Sequence, residues 1–313
     1  MATIYVAGEA LVDMVPGETA DGARCFVPHP GGSPFNAAKA ASLAGASAAF
    51  VGALSTDFMG DMLRADLVSA GVDAGEATAS DRPTALAFVD FENGEPRYAF
   101  HFEGTAETAV DPAIEAAPAP GDIVQVGGLT LADAAGRGAA IESFVGAQAG
   151  RRMISLDPNA RPTLTPDREG WLARLERIAP STAILKVSTE DLGYMAPGMD
   201  GADYAARALA NGPSLVIVTG GGEGARAFTA AGSAGATAPR VEVVDTVGAG
   251  DTLMGSTLAW LVERGAATPD ALAALGPDAL GELLHFATVA AAINCTRAGC
   301  KPPTREEIVS FAP

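Results

Sequence analysis

Basic and aromatic residues are scarce in this chain. Its 313 residues include 20 Lys and Arg against 38 Asp and Glu, a formal charge of −18. So acidic a chain excludes nucleic acid and anionic membranes as partners, since both require a Lys and Arg face. It also means that an anionic nucleotide must be held locally, by backbone amides, a metal ion and a few basic side chains. Three cysteines, Cys25, Cys295 and Cys300, are an odd number without C-x-x-C spacing, and the three histidines are scattered at 29, 101 and 285. Neither a disulfide framework nor a zinc site is expected from them. Aromatic residues make up 6% of a chain that is 48% hydrophobic, so the core must be built mainly from Ala, Val and Leu. No apolar run approaches the roughly 20 residues of a membrane helix. The first residues lead directly into an apolar strand without a basic or signal-like stretch, so a cytoplasmic protein is expected. No G-x-x-x-x-G-K-[ST] occurs, which excludes a P-loop.

What the chain does have is Asp-Thr-Val-Gly-Ala-Gly-Asp at 245–251, followed by an apolar helical pattern over 252–264. Gly248, Ala249 and Gly250 permit a tight turn whose N–H groups converge, and a helix start adds unpaired N–H groups and a partial positive charge. Such a spot favours an anion, for example a transferring phosphoryl group. Asp251 sets a carboxylate beside it, where a general base takes a proton from an attacking hydroxyl. Taken alone, the stretch is equally explained by a glycine turn with Asp251 favouring the helix dipole.

Short apolar runs at 4–7, 48–51, 123–126, 153–156, 184–187 and 215–218 alternate with helical patterns at 35–44, 57–70, 132–149, 168–178 and 202–210. This alternation predicts an α/β fold with a mostly parallel sheet covered on both faces, and ligands beyond the carboxyl ends of its strands. One region breaks the pattern. Residues 84–91 and 97–103 read as strands around Asn93-Gly94, a hairpin signal. Tyr98, Phe100 and Phe102 then share one face. With a third run near 25–27, these pieces predict a small sheet outside the main core, either a lid or an aromatic dimer contact.

Gly31-Gly32-Ser33-Pro34-Phe35-Asn36 opens an Ala-rich helix. The glycines allow close backbone approach, Ser33 is placed to cap the helix, and Asn36 offers both a donor and an acceptor to a sugar hydroxyl. Asp13, just past the first strand, offers hydrogen-bond acceptors to a sugar. Residues 219–224 mimic a dinucleotide fingerprint, but an apolar strand-like run follows them instead of a helix.

D-T-V-G-A-G-D and G-G-S-P-F-N-A-A resemble the two signatures of the ribokinase-like (PfkB) carbohydrate kinases, particularly the fructokinases. Gly8-Glu9 with Asp13, Gly52-x-x-x-x-Asp57-x-x-Gly60, Asp157-x-Asn159-x-Arg161, Lys186-Val-Ser188, Thr219-Gly220 and Gly299-Cys-Lys-Pro-Pro follow in family-like order. The resemblance implies a single ribokinase-like α/β domain over 1–313, with a small β-sheet lid formed by segments near 12–30 and 84–104. It implies transfer of the γ-phosphoryl group of ATP to a sugar hydroxyl with Mg²⁺, and leaves a monovalent cation such as K⁺ open. Asp251 matches the base and Gly248, Ala249 and Gly250 the anion hole. Asp13, Gly32, Asn36 and Arg161 match positions on the sugar side, and Lys186, Ser188, Thr219, Gly221 and Gly224 the nucleotide side. Arg97 is a further candidate for the sugar side or else a solvated lid residue, and Asn294 falls near the adenine or else caps or packs within its helix. Where many members carry N-x-x-E, this chain has Ser188-Thr189-Glu190-Asp191, so Glu190 or Asp191 would serve the metal through water. Fructose is the expected substrate, with 2-keto-3-deoxygluconate as the nearest rival because Arg97 and Arg161 could pair with its carboxylate. A non-catalytic sugar-binding regulator on the same scaffold, and a homodimer through the lid, also remain open.

Overall fold

A computed structural model describes residues 2–92, 95–108, 112–132, 137–165 and 167–312, with backbone alone for 91, 92, 95 and 96. The expected Asn93-Gly94 turn lies outside the described residues. The strands are β1 (Thr3–Ala7), β2 (Leu11–Glu18), β3 (Arg24–Gly31), β4 (Ser47–Val51), β5 (Ala53–Ser55), β6 (Thr78–Ser80) and β7 (Ala85–Glu92). They continue with β8 (Glu95–His101), β9 (Ile123–Gly127), β10 (Met153–Asp157), β11 (Thr182–Ser188), β12 (Leu215–Thr219), β13 (Ala225–Thr229) and β14 (Gly232–Ala236). The helices are α1 (Ser33–Leu43), α2 (Phe58–Ser69), α3 (Arg137–Gln148), α4 (Arg168–Ile178) and α5 (Thr189–Met195). After them come α6 (Gly201–Leu209), α7 (Ala249–Glu263), α8 (Pro269–Ala273), α9 (Pro277–Cys295) and α10 (Arg305–Ser310).

The eight-stranded sheet runs β14-β13-β12-β11-β10-β9-β1-β4 and is parallel except where β13 and β14 turn back along its edge. Strands β9, β10 and β12 are buried along their whole length, as a sheet covered on both faces demands. One core, with Ile4, Phe35, Phe50, Leu253 and Leu258, lies under α1, α7 and α9. The other, with Val124, Leu156, Trp171 and Val187, lies under α3 to α6. Each large aliphatic side chain removed from water here contributes roughly 1.5–3 kcal/mol.

Helices α1 and α7 pack closely, and their contact sets the site. A β-carbon on Gly255 would collide with the Ala37 carbonyl oxygen and lie 2.7 Å from Ala40 Cβ. The small residues Ala37, Ala40 and Gly255 therefore let the two helix N-termini come together beyond the carboxyl ends of the strands.

A second sheet, β3-β2-β7-β8, stands apart from the first. Its inner face carries Leu11, Ala85, Ala87, Phe100 and Phe102, packed against Leu129 and Leu164 of the main body. Tyr98 stacks on Phe100 at 5.5 Å and Phe100 on Phe102 at 5.0 Å, so the ring row read from the sequence faces inward. The outer face carries Phe88, with Phe26 and His101 edge-on to it at 5.1 and 5.4 Å.

Candidate active site

The turn before α7 is built as the glycines suggest. Gly248 is the N-cap residue with φ 72, and a β-carbon there would also collide with Cys300 Sγ. Glycine is needed at this position for both conformation and space. The Ala249 N–H donates to Thr246 O at 3.2 Å, so that amide closes the turn and is not free for an anion as the sequence suggests. Among the described residues no protein acceptor takes up the amides of Gly248 and Gly250.

Asp251 follows in the first turn of α7 and is buried. Ser33 Oγ donates to its Oδ1 at 2.7 Å and Asn36 Nδ2 to its Oδ2 at 2.9 Å. Burial raises the Asp251 pKa, and the Ser33 and Asn36 hydrogen bonds and the charges of Lys186 and Arg161 only partly offset it. The capping role expected of Ser33 is not observed. Gly32 is the N-cap of α1 without a side-chain cap, and Ser33, already helical, turns its hydroxyl to Asp251. Proximity of the two helix N-termini makes the carboxylate the better acceptor, since a charged acceptor strengthens the bond.

Lys186 of β11 reaches the same space from the sheet. Its Nζ donates to Asp157 Oδ2 at 2.8 Å, and both side chains are buried. A β-carbon on Gly250 would lie 3.2 Å from that ammonium. Burial disfavours the Lys186 charge, but Asp157, Asp191 and Asp251 outweigh it and hold the lysine pKa above its ordinary value.

Ser188 caps α5 in a capping box: its Oγ accepts from Asp191 N at 2.9 Å, while Asp191 Oδ2 accepts from Ser188 N at 2.7 Å. The other Asp191 oxygen accepts from Ala160 N at 2.7 Å. Asn159, at φ 42, makes the left-handed bend that aims that amide, a conformation asparagine tolerates. Both oxygens of Asp191 are thereby occupied, whereas Glu190 is exposed in the first turn of α5. Among the described residues no cluster of three or more His, Cys, Asp or Glu side chains could hold a metal by itself. The residues present do fit a magnesium held through water, with Glu190 as the accessible carboxylate.

Thr219 ends β12, and Gly221, exposed at φ 55, opens the turn beyond it. Gly224, at φ 98, is required because a β-carbon would collide with the Ala236 carbonyl oxygen. The position expected of Asn294 is not observed. Fully buried, its Nδ2 donates to Val247 O at 2.8 Å and its Oδ1 accepts from Lys301 N at 2.8 Å. It therefore braces the loop ahead of the glycine turn and offers no exposed surface to a nucleobase.

Asp13, on the inner face of the small sheet, sits opposite these groups. Burial, then repulsion by Asp251 and Asp245, pushes its pKa up to about 7. Burial and the Asp13 charge raise the Tyr98 phenol while Arg161 pulls it back. The glycine pair serves the protein's own contacts: a side chain on Gly31 would collide with Asp13 Oδ2, and one on Gly32 would lie 2.7 Å from Glu9 O. Arg97 alternates with Tyr98 along β8 and therefore belongs to the outer face with Ala99 and His101, contrary to the sugar contact expected of it.

The match to the pfkB family carbohydrate kinase model covers residues 1–307. The chain belongs to the pfkB family of carbohydrate kinases. As a family member it is 37% identical over 280 residues to a fructokinase of Rhizobium leguminosarum bv. trifolii, covering 88% of this chain and 85% of that one. It is 32% identical over 318 residues to probable fructokinase-4 of Arabidopsis thaliana, covering 97% and 94%. The crystal structure of a fructokinase with bound ATP from Xylella fastidiosa superposes with a TM-score of 0.86 at 26% identity, over 98% of this chain and 97% of that one.

Sequence reasoning did not place Asp157 and Glu9 in the site. Asp157 ends a buried parallel strand, the position where such folds collect ligand-binding groups, and that was its available signal. Glu9 is fully buried with Oε1 accepting from Ser33 N at 3.3 Å. Its burial depends on Gly128, at φ 69, where a side chain would collide with the carboxyl group. No local sequence pattern encodes that contact.

Proposed function

We propose that this pfkB family kinase is an ATP-dependent fructokinase. The observation that carries the reading is the buried Asp251, held by two helix α1 side chains at the mouth of an amide-lined turn. In this reading the sugar lies between Asp13, Tyr98, Arg161 and Asp251, beneath the inner face of the small sheet. ATP lies across Lys186, Ser188 and the turn at Thr219 and Gly221. A primary hydroxyl of the sugar forms the new O–P bond as the bond from the γ-phosphorus to ADP breaks. Its proton passes to Asp251, and the Gly248 and Gly250 amides and the Lys186 ammonium meet the charge on the phosphoryl oxygens. When bound, Mg²⁺ supplies charge neutralisation at the phosphates, and Glu190 would hold it through water. Proximity and electrostatics account for most of the acceleration.

Two carboxylates, Asp13 and Asp251, line the sugar side against one guanidinium, Arg161. That balance favours a neutral sugar over 2-keto-3-deoxygluconate, whose carboxylate would meet repulsion. Lid closure over the site suits the inward ring row, while the outer rings of Phe26, Phe88 and His101 are the surface a homodimer would use. Among the described residues no helix is long and apolar enough to cross a membrane. ATP as phosphoryl donor suits a cytoplasmic setting.

A coupled ADP-release assay with fructose, ribose, glucose, 2-keto-3-deoxygluconate and adenosine tests the reading. Turnover highest with fructose is expected. Highest turnover with the sugar acid would overturn the substrate assignment, and binding without ADP release would favour a regulator.

A further inference from the structure

We propose that Asp157 is a positioning residue, holding the Lys186 ammonium beneath the first turn of α7 and keeping it from pairing with Asp251. The inference rests on the kinase reading above. Asp157 and Lys186 lie side by side because β10 and β11 are parallel neighbours with Leu156 opposite Leu185. The ammonium pairs with Asp157 from β10, and the charges of Asp191 from α5 and Asp251 from α7 also act on it. The latter two have other donors. Asp191 accepts from Ser188 and Ala160, and Asp251 accepts from Ser33 and Asn36.

Asp157 differs from both. Among the described residues Lys186 is the sole donor to its side chain, and its Oδ1 is buried without a partner. A buried carboxylate oxygen left unpaired is costly. The retained contact is the one to the lysine, so anchoring the lysine is the role the geometry leaves to Asp157. Removal of its charge would leave the ammonium to the remaining carboxylates. An ion pair between Lys186 and Asp251 would weaken the base and withdraw positive charge from the phosphoryl group.

The test uses Asp157→Asn, Lys186→Gln and the double variant, with kcat, KM for fructose and the acid limb of kcat measured for each. For Asp157→Asn the proposal expects kcat to fall about tenfold or more with little change in KM. It also expects the acid limb to move to lower pH, because the freed ammonium stabilises ionised Asp251. In the Lys186→Gln background, adding Asp157→Asn should change kcat by less than about twofold, since the aspartate then has nothing to hold. Should Asp157→Asn alone fail to fold, the comparison of Lys186→Gln with the charge-balanced double variant decides. An acid limb left in the wild-type position, or a loss in the double variant equal to the product of the single losses, would overturn the proposal while leaving the kinase reading intact. A wild-type protein that phosphorylates no sugar would reject that reading and this proposal with it.

Discussion

The Ser33 hydroxyl donates to Asp251 Oδ1 at 2.7 Å, tying the first residue of α1 to the carboxylate in the first turn of α7. A hydrogen bond to an ionised acceptor favours the ionised form, so Ser33 keeps a buried acid usable as a base. Replacing Ser33 with Ala should raise the Asp251 pKa, since burial would then act with one fewer opposing donor. The acid limb of kcat should move up by about one pH unit or more, from a charged hydrogen bond of about 1.5–3 kcal/mol. A pH profile of this variant superimposable on wild type would remove Ser33 from the role.

Asp13 offers a test of the sugar side. With its pKa raised to about 7, it is part-protonated near neutrality in the free protein. Sugar hydroxyls donating to its carboxylate favour the ionised form, so fructose binding should release a proton fraction near that pH. Calorimetric titrations in two buffers of different ionisation heat read this release directly. Asp13→Asn should abolish it and weaken sugar binding. Proton release unchanged in that variant would assign the titration elsewhere.

Much of the fold can be read from the chain because buried parallel strands and helices differ in period. The patterns at 168–178 and 202–210 meet α4 (Arg168–Ile178) and α6 (Gly201–Leu209) almost residue for residue. Helix α9 (Pro277–Cys295) escaped because it is apolar on nearly all sides, which removes the amphipathic signal. Motif spacing brought Asp251, Asn36 and Lys186 to one place. Tertiary competition escaped it: whether Ser33 caps α1 or bonds Asp251, and whether Asn294 faces a ligand or Val247, depends on distances between segments far apart in sequence. Arg97 was offered to the sugar by its charge, whereas its alternation with the inward Tyr98 sets it on the other face of β8.

Glu9, bonded to the Ser33 amide, predicts an effect on stability. Burial, then the neighbouring Glu107, pushes its pKa up to about 8 from 4.5. The folded protein therefore holds a proton that the unfolded chain has released across that interval. Its contribution to stability is fully present below about pH 4.5 and is lost as pH rises through about 8. Thermal melts from mildly acid to alkaline pH should show Tm declining in wild type and declining less steeply in Glu9→Gln. Parallel declines would place the proton on another group.

The most direct test of the account is Asp251→Asn, followed by both fructose phosphorylation and ATP binding. Turnover should fall by a factor on the order of 10² to 10⁴ while ATP affinity stays near that of wild type, because the amide keeps the shape of the site and lacks the basic oxygen. Turnover close to wild type in that variant would contradict the assignment of the base.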